Sequence, residues 1–170
     1  MEIEEAKNEN IGDVKIEYFE IYFGKRKGYF IPKLIDLENG KRFSFNIGAF
    51  FFGIFWVLYR RLYILSLIII GVAFVESKIE EFLVNRLGDS PDIEISLRVL
   101  WLLVYGTILG YFGNYFFLKH SKRKVEKIVS STDEETIKMK KLKKAGSGNW
   151  ILILSIIFIL IFLLILSNNQ

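Results

Sequence analysis

Apolar positions in this chain are gathered into blocks, not spread at amphipathic spacing. The densest is Phe43–Tyr63, FSFNIGAFFFGIFWVLYRRLY. Its first seventeen residues carry eight aromatics (Phe43, Phe45, Phe50, Phe51, Phe52, Phe55, Trp56, Tyr59), and Arg60-Arg61 follow at once. Leu62 to Val75 is apolar again, but fourteen residues rise only about 21 Å as helix, short of the roughly 30 Å hydrocarbon core. Starting at Leu58 gives about 27 Å and places Arg60 and Arg61 in the first turn, snorkelling to the headgroups. The first transmembrane span is therefore predicted over 58–76. The preceding piece, 43–57, is too long to share that straight span and is predicted as an interfacial or shallow re-entrant helix, bending at Gly48 and Gly53. Two hairpinned spans would need a turn, and YRRLY holds no turn residue.

Later blocks complete the pattern. Residues 77–94 form an acidic loop with a short amphipathic helix (Ile79, Phe82, Leu83, Leu87) stopped by Gly88 and Pro91. A second span is predicted over 95–118. A basic loop, 119–149, holds a helix that begins at a Ser131/Glu134 capping box with a Glu134–Lys138 pair and ends near Gly146. The third span, 150–167, is Ile/Leu/Phe-rich behind an interfacial Trp150. Residues 1–42 make a polar N-terminal segment. Within it, Asp13 caps VKIEYFEIYFG, whose Ile16, Phe19 and Phe23 favour a helix over a strand. A basic aromatic connector follows, with Pro32 and an Asn39-Gly40 turn. The predicted fold class is an all-α membrane protein: three transmembrane helices, the aromatic interfacial or re-entrant helix, and short cytoplasmic amphipathic helices.

Composition agrees, with 52% of residues hydrophobic and 16% aromatic. Absence of cysteine removes disulfides and thiolate sites, and a single histidine removes His-rich metal clusters. No metal or cofactor is expected. Charge is what orients the chain. Residues 25–42 hold six basic residues against two acids, 119–144 ten against four, and 76–94 two against six. Positive flanks stay cytoplasmic, so the N-terminus is expected inside, the 77–94 loop outside, and the C-terminus outside. The acidic start of the chain is unlike a cleavable signal peptide.

The block FNIGAFFFGIFWVLYRRLY resembles the signature of a family of small bacterial integral membrane proteins known only as a domain of unknown function. Its pattern is roughly FNW-x-AFFFGPFW-x-x-YRKMY. An upstream stretch of that family is matched by Phe23, Gly24, Lys25, Tyr29, Phe30, Pro32 and Lys33. A later element is matched by Gly110, Gly113, Asn114, Phe117, His120 and Arg123. The likeness spans about residues 16–148. Ile47, Ile54 and Arg61-Leu62 depart from the pattern, standing where Trp, Pro and Lys-Met are common. The resemblance implies a bacterial inner (cytoplasmic) membrane setting and no particular activity.

Candidate chemistry is sparse. Asn46, Phe50, Phe51, Phe52, Gly53, Phe55, Trp56, Tyr59, Arg60, Arg61 and Tyr63 form the structural and interfacial set. Arg60-Arg61 could hold anionic headgroups, although anchoring topology alone explains them. Gly106, Gly110 and Gly113 give one face of the second span small residues, for packing against another helix of this chain (at Gly71, for instance) or a second copy. Asn114 lies in apolar surroundings and needs a hydrogen-bond partner, expected in the Asn46–Arg60 block. His120 reads as a solvated basic residue. No nucleotide-binding, metalloprotease or hydrolase motif occurs, and the spans lack the intramembrane carboxylates used in proton transfer. These features favour a non-enzymatic membrane accessory or scaffold whose basic cytoplasmic face meets anionic lipid or a protein partner. The competing expectation is a small homo-oligomeric transporter or channel component built on the glycine face. Nucleic acid is not an expected partner.

Overall fold

A computed structural model describes residues 10–88 and 90–168, and these are almost entirely helical. The elements are α1 (Ile16–Phe23), α2 (Lys27–Glu38), α3 (Ile47–Tyr59), α4 (Tyr63–Leu87), α5 (Pro91–Val129), α6 (Glu135–Gly146) and α7 (Trp150–Asn168). A two-residue hairpin, β1 (Asn10–Ile11) with β2 (Val14–Lys15), precedes them. Gly12-Asp13, expected as a helix start, is instead the turn of that hairpin, because Gly12 takes the left-handed φ of 63° that a tight turn requires. The helices fall into two compact units: one draws on 10–45 and 114–148, the other on 46–113 and 149–168.

The first unit has a true hydrophobic core. Helix α1 buries Ile16, Phe19, Tyr22 and Phe23, and Gly24 closes it with an N–H bond to the Glu20 carbonyl. The presumed connector after it is largely helix α2, despite Pro32. Phe30 and Leu34, one turn apart, are fully buried, and their burial outweighs the backbone hydrogen bond that proline cannot make. Phe30 stacks on Phe23 and meets Phe117 at 4.9 Å between ring centres. Val125 and Leu142 complete the core from α5 and α6. At the end of α6, Gly146 lies so close to the backbone carbonyl of Tyr22 that no β-carbon would fit there. The expected Ser131/Glu134 capping box is not formed. Ser131 donates to the Asp133 carboxylate at 2.7 Å, and Asp133 accepts from Lys141 at 2.6 Å.

In the second unit the expected span 58–76 is redrawn. Helix α3 ends at Tyr59, residues 60–62 form a turn, and α4 starts at Tyr63 and runs on to Leu87. Most of the supposed 77–94 loop is thus helix, ended by Gly88 at φ 104°. Pro91 opens α5 as its first residue instead of stopping a helix. Two helical stretches, Pro91–Val129 and Glu135–Ser167, are long and apolar enough to cross a membrane. Helix α4 is not among them, since no eighteen-residue stretch of it holds fewer than three charges. Helix α7 is apolar along its length; Ile153 is buried, but most of its described residues are exposed, with Ile151 at 80% and Phe158 at 70%. Such a surface is suited to contact with lipid or with another apolar surface.

Candidate functional site: the aromatic hairpin and its glycine seat

Helix α3 is not one rod. Gly53 breaks it with φ 48° and ψ −123°, a conformation closed to residues with a β-carbon. In a straight helix Gly48 and Trp56 would be about 12 Å apart along the axis. Here a β-carbon on Gly48 would stand 3.3 Å from the Trp56 ring, so the second half folds back on the first. Gly53 is the apex of a short helical hairpin, and the bend read from sequence is real; Gly48 is not a bend but the surface on which Trp56 lies. Around the apex Phe51 and Phe52 are 73% and 66% exposed and Phe55 is also exposed, while Ala49, Trp56 and Val57 are buried.

Asn46 starts the hairpin. Its side-chain oxygen accepts from the Ala49 N–H at 2.9 Å, an N-cap, and its own N–H donates to the Gly110 carbonyl at 2.8 Å. The glycines of α5 form the seat. A β-carbon at Gly106 would come 3.0 Å from the Phe50 carbonyl oxygen, and one at Gly113 would come 2.9 Å from Ala49 Cβ. The small-residue face therefore receives the aromatic hairpin of the same chain. Gly71, named as a possible counterpart, has open space beside it.

The exit is a helix-ending turn. Arg61 N–H donates to the Leu58 carbonyl and Leu62 N–H to the Val57 carbonyl, at 3.0 and 3.1 Å. This is the Schellman pattern, and it puts Arg61 in the left-handed region at φ 59°. So YRRLY does contain a turn, contrary to expectation, made without glycine. Arg60 is buried, its guanidinium 5.4 Å from the Tyr59 ring centre and 5.8 Å from that of Trp56.

Two further groups complete the joint, and only one had a visible signal. Asn149, directly before the apolar run, caps α7 by accepting from Leu152 N–H. Its backbone N–H donates to the Tyr59 carbonyl at 3.0 Å and its amide to the Tyr63 hydroxyl at 3.0 Å. Trp150 packs edge-on against Tyr59. An Asn before an apolar helix is a capping signal in its own right. Ser66, buried and donating to the Tyr63 carbonyl, had none.

Asn114 belongs to the other unit. It is fully buried, and its amide lies 3.2 Å from the Tyr29 hydroxyl, 3.1 Å from the Ser44 carbonyl and 2.9 Å from the Ser44 hydroxyl. Tyr29 and Ser44 thus give the buried amide nitrogen partners of the kind it requires. His120 is half-buried, and burial, then Lys124 and Arg123, hold its pKa below 6.5. Among the described residues no three His, Cys, Asp or Glu side chains gather as metal ligands would.

Neither a curated protein nor a solved structure matches this chain. Residues 11–123, more than half of the chain, match the family described as Protein of unknown function (DUF2628), and the protein belongs to that family.

Proposed function

We propose that the protein is a non-enzymatic accessory or scaffold of the bacterial inner membrane. In this reading three helices cross the bilayer, the aromatic hairpin is re-entrant, the N-terminus is cytoplasmic, and a basic cytoplasmic face meets anionic lipid or a protein partner. The observation that carries it is the composition of the first unit. Its two segments, far apart in sequence, share one core and bring seven and ten Lys/Arg together, against five and four Asp/Glu in 10–45 and 114–148. Each such charge contributes about 1 kcal/mol of attraction beside an anionic leaflet. A pore built on the glycine face has less support, since Ala49, Phe50 and Trp56 occupy that face.

Co-purification tests the reading: extraction of native membranes in mild detergent after crosslinking should retain anionic phospholipid or a protein partner. A protein that is alone and lipid-free in every condition would remove its basis.

A further inference from the structure

A small open cleft lies between the C-terminal half of α2, the segment after it, and α5. Lys33, Asp36, Lys41, Arg42, Ser44 and Tyr115 supply its polar lining. We propose that this cleft binds the phosphate of an anionic phospholipid headgroup. The inference rests on the lipid-facing reading above and gives it a specific site.

Charge is the first argument. Three cations face one carboxylate, and that carboxylate, Asp36, is already paired with Lys41 at 2.8 Å. Lys33 and Arg42 remain as an excess of two positive charges. Arginine's planar fork suits two phosphate oxygens, and lysine adds a point charge. Lys33 is braced over the Tyr29 ring, its Nζ 4.7 Å from the ring centre.

The hydroxyls are held in place for the same task. Ser44 Oγ accepts from the buried Asn114 amide at 2.9 Å, so its own hydrogen can point toward an anion. Tyr115 is placed alike: its oxygen accepts from Lys119 at 3.3 Å, leaving a hydrogen to donate. The fully buried Asn114 thus orders one wall of the cleft, a role beyond satisfying its own amide.

Size and position select a headgroup. The cleft offers about 40 Å³, room for roughly three water-sized groups, which suits phosphoryl oxygens. Leu37, Phe43 and Leu118 form its apolar side. Leu118 is also the last apolar residue before the basic run Lys119–Lys124. The cleft therefore sits where the chain leaves hydrocarbon, with an apolar flank for the glycerol and acyl ester.

The test titrates full-length protein in neutral detergent with short-chain phosphatidylglycerol, phosphatidylcholine, glycerol phosphate and inorganic phosphate, reading bound species by native mass spectrometry. Phosphatidylglycerol should bind at least tenfold tighter than phosphatidylcholine or either soluble phosphate. Lys33→Gln/Arg42→Gln should weaken it at least tenfold, and Tyr115→Phe, which keeps the ring, about threefold. The control Lys143→Gln/Lys144→Gln, of equal charge change on α6, should weaken it less than twofold. Equal loss in both double variants would overturn the site and leave the wider basic face as the lipid surface. No preference for phosphatidylglycerol over phosphatidylcholine would overturn both. Inorganic phosphate binding as tightly as the lipid would assign the cleft to a soluble ligand instead.

Discussion

Arg61 occupies, in the turn that ends α3, the left-handed position that Gly40 occupies in the turn that ends α2. Gly40 stands at φ 88° and Arg61 at φ 59°. Both turns close through the same pair of bonds: Gly40 to Leu37 and Lys41 to Asp36 in one, Arg61 to Leu58 and Leu62 to Val57 in the other. Glycine adopts this conformation without strain, whereas a residue with a β-carbon gives up roughly 1–2 kcal/mol. An arginine held there points to use of its side chain.

The first prediction separates backbone from side chain at this position. Arg61→Gly and Arg61→Ala both lose the guanidinium, but only glycine relieves the strain. Arg61→Gly should be more stable than Arg61→Ala by about 1 kcal/mol. Thermal melting in detergent checks this, and equal melting temperatures would mean that the left-handed turn is absent in solution.

Asn114 supports a second prediction. Its amide is fully buried against Tyr29 and Ser44. Asn114→Leu should destabilise by about 1–3 kcal/mol, the range for a buried hydrogen-bonding group left without its partner. Ser44→Ala should cost less, since the Ser44 carbonyl still accepts. The two variants and their double mutant, measured by the same melts, should be non-additive.

The glycine seat gives a third. Gly106→Leu and Gly113→Leu would drive a side chain into Phe50 and Ala49 of the same chain. Each should lower stability by about 2 kcal/mol or more while the oligomeric state is unchanged. Size-exclusion chromatography with light scattering, beside a melt, distinguishes this from an interface between copies, where the oligomer would dissociate first.

A fourth concerns pH. Burial and the neighbouring Lys124 and Arg123 keep the His120 pKa below its ordinary 6.5. Well above pH 6.5 the imidazole is neutral in both folded and unfolded chains, so it has no effect. As pH falls through 6.5 the unfolded chain takes the proton first, and folded-state stability is lost until the depressed folded pKa is reached. His120→Gln should flatten this acid-side loss in melts between pH 7.5 and 5. An unchanged profile would show His120 to be solvated.

Much of this architecture is legible in the sequence because it follows from local rules. The helical face Ile16/Phe19/Phe23, the stop at Gly24, the turn at Asn39-Gly40, the break at Gly53 and the apolar helix behind Trp150 all come from periodicity or glycine placement. What stayed hidden depends on tertiary contact. Helix α2 runs through Pro32 because Phe30 and Leu34 are buried in a core that no local pattern announces. The turn at Arg60–Leu62 uses a left-handed arginine, which is not among the residues that mark a turn in sequence. Ser131 prefers Asp133 to the capping box its spacing suggested. The partner of Gly106 and Gly113 proved to be the aromatic hairpin, since a small-residue stripe records close approach but not the partner.

The central claim, a three-span membrane protein whose basic unit faces the cytoplasm, is tested most directly by single-cysteine accessibility. The natural chain has no cysteine, so each introduced thiol reports alone. Cysteines at Ser77, Ser130, Lys141 and Ser167 should be labelled in intact bacterial cells by a membrane-impermeant maleimide only at 77 and 167. The sites at 130 and 141 should react only after permeabilisation. Labelling of Lys141→Cys in intact cells, or protection of both Ser77→Cys and Ser167→Cys, would contradict the topology and, with it, the placement of the basic face against the inner leaflet.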